Sequence, residues 1–170
     1  NNKLVIYEGF LETSRAHYHA LNSRSEKIAL LSDLFVWAAS TLGLDSGGYL
    51  LYDPSFREYR VEMDVGRNGK NLGFGKLGSR IESSLLDPFY EQASSDLHFA
   101  VNDVDKLPSD LSSFLRNLGM ESVFLRSVGE SGKKGALLFL QGQKKVDFDS
   151  LIVHSMLDSF SSLVSDILVE

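Results

Sequence analysis

The clearest hydrophobic pattern lies in residues 121–142, where two apolar runs are separated by a loop rich in Gly and Lys. The first run, Ser122–Val128, alternates between two faces. The second run, Gly135–Gln141, is apolar on both faces, as expected for a central strand that is covered on both sides. Together they predict an antiparallel hairpin at the centre of a sheet, around which the rest of the chain is arranged.

A second hairpin is predicted earlier in the chain. Gly47–Tyr52 is a short apolar run, and the Asp-Pro-Ser-Phe sequence at 53–56 suits a turn. The following run, Arg57–Val65, alternates strictly, with apolar residues at odd positions from Tyr59 and charged residues at even positions. Because strict alternation is typical of a strand with one wet face, we expect the even side, including Asp64, to face solvent.

Helical periodicity dominates both ends of the chain. A seven-residue apolar repeat predicts helix from Phe10 to Leu42, in two pieces around residues 22–25. A similar repeat predicts a last helix over Phe148–Leu168. Shorter patterns between the hairpins predict a helix, a strand and a helix at Leu77–Ala93, Leu97–Val101 and Ser109–Leu118.

Composition narrows the class of protein. The 170 residues fit one domain, and a hydrophobic fraction of 43% is enough for a core. A net charge of −6 with scattered Lys and Arg argues against a nucleic-acid surface. The absence of cysteine excludes disulfides, thiolate metal sites and a thioether-linked chromophore. We see neither a signal peptide nor an apolar run of ~18 residues, so no membrane insertion is predicted and a cytoplasmic location is expected.

The order of predicted elements indicates an α+β fold, with an antiparallel sheet of five to six strands and helices on both faces. Several segments in and around the two hairpins follow a recognisable order: Ser46–Tyr52, Asp103–Pro108, Gly119–Val123, Gly135–Phe139 and Asp147–Asp149. In these segments the chain resembles GAF domains, the small-molecule sensor modules of bacterial signalling proteins and cyclic-nucleotide phosphodiesterases. The resemblance covers roughly residues 25–170, and residues 1–24 are expected to form an N-terminal helical extension. The pattern of residues 1–9 fits a strand or a helix.

The resemblance implies a non-catalytic regulatory or sensory domain of a larger bacterial signalling protein. Such a domain would bind an unknown small molecule and relay a signal through its terminal helices. The alternative is a degenerate GAF-like domain that has no ligand and serves as a dimerisation or protein-interaction scaffold. No catalytic motif is present. The cyclic-GMP signature is not recognisable and the bilin cysteine is absent, so no cofactor is predicted.

A ligand pocket is expected between the sheet and the segment Gly73–Ala93, which lies over the pocket in GAF-like folds. Its predicted lining residues are Phe74, Arg80, His98, Asn102 and Arg126. Arg126 lies within an apolar strand, where it would bind an anionic ligand or, as we favour, pair with a carboxylate. His98 would reach the pocket or bind a haem iron, although a lone histidine is more often structural.

The sequence Gly73–Gly78 matches the pattern GxGxxG. A dinucleotide-binding turn needs an apolar strand that runs directly into the first glycine, whereas the residues here, 67–72, are polar. A surface loop is therefore favoured, with binding of an anion by its backbone as the second possibility.

The terminal helices carry more apolar surface than one sheet face requires. Leu30 widens the apolar stripe of the first helix, and Leu157 widens that of the last. Exposed apolar surface of this kind favours association, and closed twofold symmetry is its commonest form. We therefore predict a homodimer with an interface that includes Phe35 and Phe160 or their immediate neighbours.

Overall fold

A computed structural model describes residues 2–66, 73–86, 98–101, 104–128, 135–148 and 150–169. Its helices are α1 Asn2–Ala20, α2 Arg24–Leu42, α3 Ser109–Asn117 and α4 Leu151–Val169. Its strands are β1 Ser46–Asp53, β2 Glu58–Gly66, β3 Arg80–Glu82, β4 His98–Val101, β5 Ser122–Val128 and β6 Ala136–Gly142. A short 3-10 turn, Val104–Lys106, precedes α3.

The six strands form one antiparallel sheet in the order β3-β2-β1-β6-β5-β4. The two predicted hairpins, β1–β2 and β5–β6, are confirmed, and they meet where β1 pairs with β6. The centre of the sheet is therefore built from the most apolar strands. The predicted α+β fold with five to six strands is confirmed.

Helices cover both faces of this sheet, and each face has its own apolar core. The terminal-helix core lies under α1, α2 and α4 and includes Phe35, Phe124 and Phe160. The second core lies under α3 and the segment around Phe74, and it includes Phe139. Because β6 contributes to both cores, its uninterrupted apolar sequence is explained, as predicted.

The break between the two N-terminal helices has a local cause. The Ser23 hydroxyl accepts a hydrogen bond from the Glu26 N–H (3.1 Å) and so caps the first turn of α2. At the other end, Gly43 adopts a left-handed conformation with φ 75°, which a glycine does at low cost. The prediction of two helical pieces between Phe10 and Leu42 is confirmed, and residues 2–9 continue α1 as helix.

The helix predicted over Leu77–Ala93 is only partly present. Arg80–Glu82 forms the edge strand β3, paired with β2, and helix begins at Ser83 and continues to Leu86. Residues 87–97 lie outside the described part. The apolar spacing that suggested helix is satisfied differently, because Ile81 reaches the second core from a strand. Pairing with an available sheet edge here overrides helical periodicity.

The strict alternation predicted for β2 is wrong beyond Val61. The register pairs Tyr49 with Met63 but Leu50 with Val61, so Glu62 is an extra residue that forms a β-bulge. The bulge exchanges the two faces of the strand. Met63 therefore joins the terminal-helix core, and Asp64, expected in solvent, is buried on the opposite face.

Phe35 and Phe160 do not lie on the surface, so these two side chains do not form the predicted dimer interface; an interface through their neighbours on the same helices stays a prediction. Both side chains are fully buried within one chain, with ring centroids 5.4 Å apart in an edge-to-face arrangement. The additional apolar surface of the terminal helices is buried within the chain, because α1 packs its Tyr7 and Leu11 into the same core. A charge at Phe160 would test folding rather than association.

Among the described residues, one helix is apolar enough, by length and composition, to cross a membrane: the window Leu151–Leu168 in α4. Its His154, Asp158 and Asp166 interrupt the apolar run. Phe160, Leu163 and Val164 in this window are buried under the sheet. An apolar helix that packs on a sheet in this way has the composition of a core helix.

Gly48 provides the sharpest test of the bulged pairing. A Cβ atom at this position would overlap the carbonyl oxygen of Met63, whereas one at Gly9 in α1 would meet nothing within 4 Å. We expect Gly48→Ala to lower the free energy of unfolding by about 3 kcal/mol or more, because β1 and β2 must separate. The control Gly9→Ala should raise it by about 0.5–1 kcal/mol. Urea unfolding of both variants checks this, and equal stabilities would contradict the register.

Candidate functional site

The face of the sheet under the Gly73–Phe74 segment is the predicted position of the ligand pocket. Phe74 is buried there, with its ring edge-to-face on Phe139 (4.7 Å between centroids) and 6.2 Å from Phe114. Three aromatic rings therefore occupy the middle of this face. The Phe74 side chain acts as an anchor that holds the glycine-rich segment on the sheet.

Asp64 lies beside this anchor and is only 5% exposed. Its Oδ2 accepts a hydrogen bond from the Gly75 N–H (3.1 Å). A Cβ added at Gly73 would come within 2.8 Å of Oδ2 and 2.9 Å of Oδ1, so the absence of a side chain permits the close approach. The two glycines thus explain how the chain folds back over a buried carboxylate.

The other oxygen of Asp64, Oδ1, is buried and has no hydrogen-bond partner among the residues that the structure describes. A buried, unsatisfied acceptor is rare in folded proteins, and it costs about 1–3 kcal/mol. At this position the site therefore has acceptor capacity for a hydrogen-bond donor. An amine, an amide N–H, a hydroxyl group or an ordered water would each meet it chemically.

Two further buried polar side chains border Asp64 on this face. Gln141 of β6 donates from Nε2 to the hydroxyl of Ser46 on β1 (2.7 Å), and both residues are fully buried. The Ser46 hydroxyl is close enough to Asp64 to favour its ionised form. These three residues, Ser46, Asp64 and Gln141, form what we call the polar cluster.

Burial raises the pKa of Asp64 above its ordinary value of 3.8, because the charged form is desolvated. The backbone N–H groups of Gly75, Phe74 and Gly73 and the Ser46 hydroxyl lie close enough to act in the opposite direction, but theirs is the smaller effect. The ionised form of Asp64 is therefore destabilised at this buried position. A donor or a positive charge at Oδ1 would relieve part of that cost.

The structure does not bring the predicted site residues together. Phe74 lies in the second core, whereas Arg80 is exposed on edge strand β3, where it pairs with Asp53 (3.5 Å) and lies over the Phe56 ring (5.0 Å). Arg126 lies on the opposite face of the sheet from Phe74. It pairs there with Asp158 of α4 (3.3 Å), which is the carboxylate pairing that the sequence favoured.

The side chains of the last two predicted residues, His98 and Asn102, lie outside the described part of the structure. His98 pairs with Arg126 in the register of β4 and β5, and its side chain lies outside the described part of the structure. Asn102 lies outside it entirely. The GxGxxG segment leads into strand β3 rather than directly into a helix, so the dinucleotide-binding turn lacks the helix N-terminus it requires.

The polar cluster was missed because each member has an ordinary sequence context. Asp64 occupies a charged position in an alternating strand, and only the extra residue Glu62 turns it inward. Ser46 and Gln141 are distant in sequence and meet through the β1–β6 pairing. The adjacent Gly47-Gly48 pair was the available signal, since glycines inside a strand mark bulges and close backbone approaches.

Solved structures share this architecture. The GAF domain of an Acinetobacter phosphoenolpyruvate-protein phosphotransferase matches with a TM-score of 0.66 at 16% identity, over 99% of this chain and 94% of that one. The phycoerythrobilin-bound GAF domain of a cyanobacterial phytochrome matches with a TM-score of 0.67 at 13% identity, over 98% and 96% of the two chains. This chain has the GAF fold. No protein-family model and no curated protein matches the sequence.

GAF-fold relatives differ in what they do. The chromophore-binding domain of a bacteriophytochrome from R. palustris matches with a TM-score of 0.71 at 8% identity, and this chain, 99% covered, spans 61% of its length. A free methionine-R-sulfoxide reductase from Neisseria meningitidis, solved with its substrate, matches with a TM-score of 0.65 at 14% identity, over 98% and 90% of the chains. The fold therefore includes chromophore-binding domains and an enzyme, and it does not by itself decide between them.

The raised pKa of Asp64 predicts a specific pH dependence. Since the folded chain binds this proton more tightly than the unfolded chain, the contribution of Asp64 to stability is greatest below pH 3.8 and is lost as pH rises through its raised pKa. Wild type should therefore lose stability relative to Asp64→Asn over that interval, as measured by urea unfolding at a series of pH values. The exposed control Asp110→Asn should follow wild type, and a difference that is flat or grows in the other direction would contradict the assignment.

Proposed function

We propose that this chain is a non-catalytic regulatory domain that binds a small molecule at the polar cluster and relays its occupancy to the terminal helices. The observation that carries this proposal is Asp64, a buried carboxylate with one acceptor oxygen that no described group satisfies. Small-molecule sites are mostly apolar with a few convergent polar groups, which is the composition of this face. The GAF fold of the chain is compatible with such a role.

The ligand that fits this chemistry carries a hydrogen-bond donor, and a positive charge would strengthen the contact. Of the residues predicted from sequence, Phe74 remains in the proposal as an apolar contact. Arg126 is removed from this face by its pairing with Asp158. His98 and Asn102 remain proposed contacts, and Arg80 remains a proposed contact at the rim.

A relay to the terminal helices is supported by the bulge in β2. Asp64 belongs to the polar cluster, and the adjacent Met63 lies in the terminal-helix core, as does Phe35 of α2. A ligand that shifts Asp64 would therefore move Met63 against α2. Since packed cores change between discrete arrangements, a small displacement here is sufficient to reposition a helix.

A second candidate function is a scaffold that binds no ligand. Its support is the packing of Phe74, Phe114 and Phe139, three aromatic rings that occupy the middle of the same face. In this case the polar cluster would hold the glycine segment in place and would be satisfied by water. The two candidates differ in whether the purified protein carries a small molecule.

Native mass spectrometry of the purified chain distinguishes them. For a ligand-binding domain we expect a non-peptide mass that is retained by wild type and by the exposed control Asp110→Asn. It should be lost or bound about tenfold more weakly in Asp64→Asn, because a charge-assisted hydrogen bond is removed. A wild-type protein that carries no additional mass, and gains none from a cell extract, would favour the scaffold.

Association is proposed through a surface other than the one first predicted. On α1, Val5 and Ile6 are 68% and 71% exposed, and Phe10 lies one turn beyond Ile6 with its ring stacked on Trp37 (4.1 Å). These side chains form an apolar patch on the outer side of the helix layer. A second copy of the chain that presents the same patch would cover it with twofold symmetry.

Ile6→Glu should abolish a dimer formed by this patch and leave the monomer folded, because the side chain already faces solvent. Leu77→Glu is a matched control, since Leu77 is 72% exposed but lies on the other side of the sheet. Sedimentation equilibrium over a range of concentrations measures the effect. A wild-type monomer at the highest concentration, or an equal response to both substitutions, would remove support for the dimer.

A further inference from the structure

A cavity of ≈ 550 Å³ lies on the face of the sheet opposite Asp64. It is open to solvent and is bordered by the end of α1, the first two turns of α2, strand β1 and the end of α4. Its volume falls within the range of about 300–1,000 Å³ that is typical of small-molecule sites. The side chains that determine its chemistry are Tyr18, Arg24, Lys27, Ile28, Tyr49 and Leu168.

Two cationic side chains, those of Arg24 and Lys27, line this cavity. No carboxylate in the described ranges lies within ion-pair distance of Arg24 or Lys27. The Lys27 ammonium is 5.1 Å from the centre of the Tyr18 ring, an arrangement that positions it over the cavity. Two neighbouring positive charges on the first turns of one helix create a local preference for an anion.

Glu62 is an acidic residue whose charge acts on this side of the cavity. Burial raises the pKa of Tyr49, Glu62 raises it further and Arg24 lowers it, so both charges act on this side of the cavity. Glu62, however, is already held by the Arg60 guanidinium (2.5 Å). It therefore leaves Arg24 and Lys27 available to an incoming anion.

Beside Asn22 and the two tyrosines, the remaining side chains that line the cavity are aliphatic. Ile28 is 44% exposed, Leu51 and Leu168 are half-buried, and Leu31 forms the buried floor. An apolar body in the cavity would cover this surface and gain about 25 cal/mol for each Å² removed from water. The cavity thus combines a basic rim with an apolar floor.

We propose that this cavity is a binding site for a small amphipathic anion, with its acidic head at Arg24 and Lys27 and its apolar chain against Ile28 and Leu51. Carboxylate and phosphate ester heads share the required charge. A neutral hydrocarbon would make no ionic contact with Arg24 and Lys27. Inorganic phosphate would leave the apolar floor of the cavity exposed to water. The proposal is independent of the polar cluster, which lies on the other face of the sheet.

Occupancy of this site would act directly on the terminal helices. The cavity is bounded by Tyr18 at the end of α1, Lys27 near the start of α2 and Leu168 near the end of α4. A ligand in contact with all three would fix their relative positions. It would stabilise the folded chain by an amount that rises with ligand concentration.

The test is isothermal titration of the purified chain with decanoate and decyl phosphate below their micellar concentrations. Decylamine, 1-decanol and inorganic phosphate are the comparison probes. We expect decanoate or decyl phosphate to bind at least tenfold more tightly than decylamine or inorganic phosphate, and the better of the two identifies the acidic head. Equal binding of decanoate and decylamine would overturn the proposal.

Variants locate the site. Arg24→Gln with Lys27→Gln should weaken the anionic probes about tenfold and leave 1-decanol unchanged, whereas Ile28→Asn should weaken both kinds of probe. Lys76→Gln with Lys144→Gln is the control for charge, since both side chains are exposed elsewhere. Circular dichroism confirms that each variant is folded. Unchanged decanoate affinity in the Arg24/Lys27 variant, or binding only to phosphatidylglycerol vesicles, would reject the site.

Discussion

The bulge at Glu62 is the constraint on which both faces of this domain depend. One extra residue in β2 turns Met63 toward the terminal helices and Asp64 toward the glycine-rich segment. Without the bulge, Asp64 would lie on the face covered by the terminal helices. Met63 would then lie on the face under the glycine-rich segment. The bulge requires close backbone contact at Gly48, where any side chain would overlap the partner strand. A single insertion in register therefore sets the chemistry of one face and the packing of the other.

The two faces of the sheet are used for different purposes. One face is covered by three long helices, and its core is continuous from Tyr7 on α1 to Phe160 on α4. In the described part of the chain, the other is covered by α3, the helical residues 83–86 and irregular segments, and it buries a carboxylate. Regular helices bury apolar area efficiently, whereas irregular segments expose backbone N–H groups. Those N–H groups are what an acidic side chain needs, so the buried carboxylate occurs on the less regular face.

Charge on the terminal-helix side is distributed unevenly. Arg15 of α1 pairs with Asp166 of α4, and Arg126 of β5 pairs with Asp158 of α4. By contrast, Arg24 and Lys27 border a cavity with an apolar floor. Paired charges on a surface contribute little to stability. Cations beside an apolar cavity have a different physical consequence, because an anion that binds there is held by charge and by burial together.

The amino-acid pattern alone predicts the elements whose patterns are long and whose packing is local. The heptad-like repeats predicted α2 and α4, and the two apolar runs predicted β5 and β6, because each pattern repeats over several turns or residues within one element. The sequence also indicated the α+β order of the GAF fold. It did not reveal that Ile81 would reach the core from a strand, since edge pairing with β2 depends on residues some twenty positions away.

Which residues share a site depends on the packing of the folded chain. Arg126 and Phe74 were assigned to one pocket and lie on opposite faces, because a strand inside a two-faced sheet presents neighbours to different layers. Phe35 and Phe160 were assigned to a surface and are buried against each other, because α1 completes the core that covers them. Asp64 was assigned to solvent and is buried. One inserted residue reverses the facing of every position that follows it in the strand, and strict alternation in the sequence carries no mark of such an insertion.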